Sequence, residues 1–122
     1  MTEEDMSQQL KDQLARFQQM QAQLQMIQQQ RSQVESRLKE VEEALDELAK
    51  VNEKAQIYKS VGSVLIKSKN KKEVVIELES NKESLDLRKD TLNKQEGRTR
   101  EKLTELQSKV QNAMKLSETN NI

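Results

Sequence analysis

The chain has 122 residues, of which 33% are hydrophobic and 34% charged, with no proline, tryptophan, histidine or cysteine and only two aromatic residues, Phe17 and Tyr58. That composition is too poor in large apolar side chains for a broad compact core, and its Glu, Lys, Leu and Gln content points to long helices or coiled coil. Lys and Arg total 21 and balance 21 Asp and Glu; interleaved signs leave no basic stripe for nucleic acid, and the missing His and Cys remove most nucleophile–base pairs, disulfides and zinc sites.

In chain order, the acidic start Met1-Thr2-Glu3-Glu4-Asp5 lacks the basic region and apolar core of a signal peptide, and no apolar run is long enough to span a bilayer. A cytoplasmic protein with no membrane or nucleic-acid partner is the expectation. From Leu10 onward one position recurs every seven residues: Leu10, Phe17, Leu24, Arg31, Leu38, Leu45 and Asn52. A second line follows three residues behind it, through Gln13, Met20, Ile27, Val34, Val41, Leu48 and Ala55. Together they predict a heptad helix over 1–56, supercoiled against a partner. Gln13, Arg31 and Asn52 interrupt the seam as register-setting polar positions. The glutamines between Gln18 and Gln30 form a solvated, uncharged helix face rather than disorder, because the heptad runs through them.

Residues 57–79 break the helical pattern. Val61, Val64, Leu65 and Ile66 make one apolar run, and Val74, Val75, Ile76 and Leu78 make a second, separated by Ser68-Lys69-Asn70-Lys71-Lys72. This predicts a β-hairpin with its turn over the lysines. A lone hairpin is marginal in water and leaves two unpaired edges. No other stretch of the chain supplies a strand, so another subunit is the expected partner. Gly62 reads as a bulge or a close backbone approach. Tyr58 reads as a packing residue with a satisfied hydroxyl. Lys67, Lys69, Lys71 and Lys72 guard an exposed edge or steer an acidic partner.

Ser80-Asn81-Lys82-Glu83 fits a capping box and predicts a second helix from residue 80. Its seam runs through Leu85, Leu92, Thr99, Leu106 and Ala113 on one line and Lys89, Glu96, Leu103, Val110 and Ser117 on the other. Loose packing is expected between Lys89 and Thr99, where Gly97 also lies, and fraying from Ser117 to Ile122. The two helices should fold back antiparallel as an arm of order 70 Å, with the hairpin at its closed end. Because the first helix is the longer, residues 1–13 should overhang. Met6, Leu10, Leu14, Phe17 and Met20 near one terminus, and Val110, Met114, Leu116 and Ile122 near the other, then form an apolar cluster at the open end. Such a cluster marks an interaction site, or a seam continuing into a neighbouring arm. Carboxylates such as Glu42, Glu43 and Glu47 sit among lysines as a solvated face, no phosphate-binding glycine motif occurs, and neither an enzyme nor a cofactor is expected.

Ala55-Gln56-Ile57-Tyr58-Lys59-Ser60-Val61-Gly62-Ser63-Val64-Leu65-Ile66-Lys67 strongly resembles the helix-to-strand junction of prefoldin beta-class subunits. The flanking pattern is similar too: a long heptad helix, one hairpin, and a second helix carrying Leu85, Leu87, Arg88 and Leu92. The single hairpin looks like the beta class, and the Gln-rich first helix looks archaeal, close to eukaryotic prefoldin subunit 6. The resemblance implies a single prefoldin-like domain with hairpins assembling into a β-barrel platform. It further implies a hexamer of two alpha-class and four beta-class subunits, whose arm tips hold unfolded polypeptides and pass them to a group II chaperonin without ATP. A structural coiled-coil scaffold without clients is the alternative reading.

Overall fold

The computed structural model describes residues 3–120 and, within them, the side chains of residues 7–116. Four elements follow one another: α1 (Glu3–Lys50), β1 (Tyr58–Val61), β2 (Val64–Lys67) and α2 (Lys71–Asn120). The fold is mainly α, two long helices joined by one small antiparallel hairpin. Every position from Leu10 to Leu48 on the two heptad lines of α1 is half-buried or buried, and the flanking Glu, Lys and Gln positions are mostly exposed. The seven-residue apolar spacing thus chooses the buried stripe.

The helix α1 stops at Lys50, short of residue 56. Val51 N–H bonds back to the Leu48 carbonyl at 3.3 Å, three residues away, and tightens the last turn. Asn52 then leaves the helix: its Oδ1 accepts from Lys54 N–H at 3.0 Å, and its carbonyl accepts from Ala55 N–H at 2.9 Å. An Asn side chain that bonds the backbone two residues on competes with helix, so Asn52 is a terminator and not a seam position.

The second correction concerns the hairpin. Its turn is Gly62-Ser63, and Val61 pairs with Val64, Ser60 with Leu65, Lys59 with Ile66 and Tyr58 with Lys67. Gly62 has φ 61° and, among the described residues, none other than glycine has positive φ, which makes a two-residue type II′ turn with glycine at its first central position. Gly62 is therefore neither a bulge nor a close approach; nothing lies within 4 Å of where its Cβ would stand, so the demand is on φ alone. Ser68 N–H closes the base of the hairpin on the Ile57 carbonyl at 2.7 Å.

Val74, Val75, Ile76 and Leu78 consequently belong to α2 and not to the hairpin. Asn70 is the N-cap: its Oδ1 accepts from Glu73 N–H at 2.9 Å, and its carbonyl takes the first helical bond from Val74 N–H at 3.0 Å. Ser80-Asn81-Lys82-Glu83 lies inside the helix that this cap starts. The buried stripe of α2 continues through Lys71, Val75, Leu78 and Lys82 into Leu85 in the alternating four–three spacing of a heptad.

Two compact units make up the chain, and each is a pair of antiparallel helical segments. The hairpin unit spans Ser32–Asp90. In it Lys71 Nζ donates to the Val51 carbonyl at 2.8 Å, placing a cation at the C-terminal end of α1 where the helix dipole favours one. Farther along, Lys82 Nζ lies 3.9 Å from Glu42 Oε1. Its core holds Val34 and Leu38, both buried. The terminal unit combines α1 up to Arg31 with α2 from Thr91. Among the described residues, its buried ones are Leu92, Glu96 and Val110.

In the terminal unit Arg16, Met20 and Gln23 of α1 share a groove with Lys102, Leu106 and Lys109 of α2. With α1 at 48 residues and α2 at 50, the anticipated N-terminal overhang is absent among the described residues; Leu10 and Gln13 are half-buried. The helix gained between Asn70 and Ser80 provides the length that the overhang would have lacked. The helix α2 also continues past Ser117 to Asn120.

Candidate assembly and client-binding surfaces

No residue of β1 or β2 is buried. Alternation puts Lys59, Val61, Val64 and Ile66 on one face of the ribbon, and Tyr58, Ser60, Leu65 and Lys67 on the other. The first face is three-quarters aliphatic and open to solvent; on the second, Leu65 is 70% exposed. Two strands cannot cover either face, and their outer edges keep unpaired backbone groups. Ile76, one turn into α2, is exposed as well. In the same unit an apolar groove lies against the hairpin, lined by Ala44, Leu48, Ile57, Tyr58, Val74 and Leu78. The Tyr58 hydroxyl donates to Gln56 Oε1 at 3.0 Å, so its polar end is satisfied while its ring stays half exposed.

The lysines divide by position. Lys67 ends β2, Lys69 lies in the connection to α2, and Lys71 and Lys72 open α2, so none sits in the hairpin turn. Lys71 is committed to the end of α1 through its bond to Val51.

The expected tip cluster also divides. Val110 is 7% exposed and belongs to the core of the terminal unit, not to an open tip. Its heptad position turns it toward α1. Leu10, Phe17 and Met20 are half-buried in the seam. Leu14, Met114 and Leu116 are exposed, Leu116 at 58%. The side chain of Met6 and all of Ile122 lie outside the described residues. Met26, 59% exposed on the Gln-rich face, adds an apolar surface that the end-of-chain reasoning missed; its position off both heptad lines was the available signal.

Within the terminal unit lies a polar layer. Glu96 is 6% exposed. Arg31 of α1 forms an ion pair with its Oε2, and Gln28 Nε2 donates to Oε1 at 3.4 Å. From its own helix, Arg100 donates to Oε1 through Nη2 at 2.8 Å and through Nε at 3.2 Å. The bond from Arg100 holds the Glu96 carboxyl below the usual carboxylate range; desolvation pulls the other way and is outweighed with the help of Gln28 and Arg31. The segment expected to be loose is therefore well packed, because Leu92 is 3% exposed and the carboxylate beside it is fully paired. Gly97 points into open space on the outer side of the helix. At Gln13, the other polar seam position, Oε1 is buried without a hydrogen-bond partner.

This architecture, a capped helical return through one exposed II′ hairpin, coincides with a known family. Residues 11–116 match the family model described as Prefoldin subunit. The chain belongs to the prefoldin subunit family. It is similar to the prefoldin subunit beta of Thermoplasma volcanium, 38% identical over 110 residues that cover 90% of this chain and 89% of that protein. The prefoldin subunit beta of Archaeoglobus fulgidus is 43% identical over 68 residues, a match spanning 56% of this chain and 58% of that one. Among solved structures, the prefoldin beta subunit from Thermococcus strain KS-1 superposes with a TM-score of 0.75 at 36% identity, covering 86% of this chain and 91% of that one. The beta-class resemblance carried by Tyr58 to Lys67 thus holds over nearly the full length. Prefoldin subunits are chaperone components. Among the described residues of this prefoldin chain, no helix is long and apolar enough to cross a membrane.

Proposed function

We propose that this chain is a subunit of an ATP-independent holdase that binds unfolded polypeptides near the free ends of its helices and hands them to a group II chaperonin in the cytoplasm. The observation that carries the reading is the exposure of Leu14, Met114 and Leu116 in the terminal unit of a prefoldin chain. Exposed aliphatic side chains on a surface otherwise covered by Gln, Lys and Glu offer weak, sequence-tolerant contacts to apolar segments of a non-native chain. Several arms acting together convert such contacts into useful retention.

Assembly falls to the hairpin. Its aliphatic face and both edges are supplied with partners when hairpins of neighbouring subunits join, and an alpha-class subunit in a two-to-four hexamer is the partner proposed. In this reading the whole chain acts as one prefoldin-like domain, and catalysis has no part in it.

The test is aggregation suppression. A chemically unfolded protein is diluted into buffer holding this chain and an alpha-class partner, with Leu14, Met114 and Leu116 either native or changed together to Ser. The expected outcome is that the triple variant sediments as the same hexamer and no longer suppresses light scattering. Undiminished suppression by that variant would overturn the tip assignment.

A further inference from the structure

We propose that the Arg31–Glu96 layer selects the pairing of the helices, holding α1 against α2 in a single register. Much of the rest of each seam is permissive. Apart from Gln13 on α1 and Lys82, Lys89 and Thr99 on α2, leucines, valines and isoleucines recur at seven-residue intervals, so sliding one helix past the other by a heptad lays apolar on apolar at most layers. The charged layer does not repeat. Its partner line on α2 reads Lys89, Glu96, Leu103, and its own line on α1 reads Leu24, Arg31, Leu38.

A slip of one heptad therefore brings Arg31 opposite Lys89 in one direction and Leu103 in the other. The first sets two cations together. The second leaves a guanidinium in an aliphatic layer. In either slip Glu96 faces a leucine and loses Arg31; Arg100 travels with it on α2, and Gln21 in one direction or Glu35 in the other takes the place of Gln28. Pairing between identical helices fares no better: two α1 helices in parallel register oppose Arg31 to Arg31, and two α2 helices oppose Glu96 to Glu96. Of these pairings, only α1 against α2 in the observed register supplies Glu96 with Arg31, Gln28 and Arg100 at once.

Here the carboxylate is buried while the Arg31 side chain is partly exposed; such a pair adds little net stability over a well-packed apolar one, because desolvation offsets attraction. Breaking it is costly, and that asymmetry makes such a pair a discriminator between arrangements. Selection matters most where several copies of this chain stand close together, a circumstance that rests on the assembly proposed above; the register argument itself needs only one chain.

The chain has no cysteine, so paired cysteines report helix register cleanly. Gln23, Lys102 and Lys109 line one groove; Gln23→Cys with Lys102→Cys joins positions in the observed register, whereas in Gln23→Cys with Lys109→Cys the second cysteine stands one heptad, about 10 Å, farther along α2. With Arg31 and Glu96 native, a short bismaleimide is expected to join the first pair within one chain and to leave the second unreacted. In Arg31→Leu/Glu96→Leu the out-of-register pair is expected to react at least about tenfold more, with cross-linked dimers between differently tagged chains appearing alongside. Arg31→Gln/Glu96→Gln carries the same expectation without added apolar surface, which covers the case of an aggregating leucine variant. Arg31→Lys should keep the native pattern. If either neutralised variant cross-links only at Gln23→Cys/Lys102→Cys and only within chains, the apolar seam sets the register and the proposal is wrong. Aggregation suppression plays no part in this readout, so its outcome is separable from the fate of the holdase proposal.

Discussion

Replacing Gly62 by alanine isolates a single physical term. With nothing within 4 Å of the would-be Cβ, no clash contributes, and the cost is that of holding an L-residue at φ 61°. That cost is about 1–3 kcal/mol. Since about 1.4 kcal/mol is a factor of ten, the hairpin should open roughly 5- to 150-fold more often. Thermal melting of the helices would miss the change, because the strands make no buried contact in the isolated chain. Amide hydrogen exchange reads it directly, and Ser68 N–H, bonded to the Ile57 carbonyl at 2.7 Å, is the probe of choice. The decisive control is D-alanine at the same position, introduced by semisynthesis. Its preferred φ is positive, so the penalty vanishes, and reduced freedom in the open state stabilises the hairpin by about 0.4–1 kcal/mol. Equal loss of Ser68 protection with the two enantiomers would refute the argument from φ.

Three further outcomes are expected. Asn70→Ala should lower stability by about 1 kcal/mol in urea unfolding, while Asn70→Asp, which retains the accepting oxygen, should cost far less. Leu92→Ala should cost about 2 kcal/mol or more in the same assay, against little for Leu87→Ala, whose side chain is exposed. Glu96, with its pKa lowered below the ordinary 4.5, binds fewer protons folded than unfolded. Its contribution is therefore complete above the unfolded pKa and lost as pH falls through the folded one. Urea midpoints taken down through that acid window should fall more steeply for the native chain than for Glu96→Gln.

The α1 seam was legible because its two apolar lines persist through the glutamines, and burial follows those lines from Leu10 to Leu48. The start of α2 was misjudged where two local signals compete. Val74, Val75 and Ile76 are β-branched and favour strand on their own. Yet Val75, Leu78, Lys82 and Leu85 already keep heptad spacing, and Asn70 stands three residues before Glu73 as a cap requires. Packing against α1 settles the competition in favour of helix. Gly62-Ser63 between valines was itself a II′ hairpin signal; taking it for strand interior displaced the turn toward the lysines. That error shortened α2 and created the supposed overhang, while Val110 was put at the tip by its nearness to the other terminus. The polar layer was visible only as isolated interruptions at Arg31 and Glu96. Their pairing depends on inter-helix register, and register follows only once the turn is placed correctly.

The antiparallel register also has a temporal side. Arg16 to Gln23 lie beside Lys102 to Lys109, so the earliest-made stretch of the helix waits for one of the latest. At about 5–20 residues per second, the roughly eighty intervening residues take about 4 to 16 s to synthesise. During that interval Phe17, Met20 and Leu24 have no α2 to cover them. The uncharged glutamines around them neither repel a neighbouring nascent chain nor break the emerging helix. Pairing then closes from the hairpin outward, with short loops first, and covers Phe17 and Met20 late.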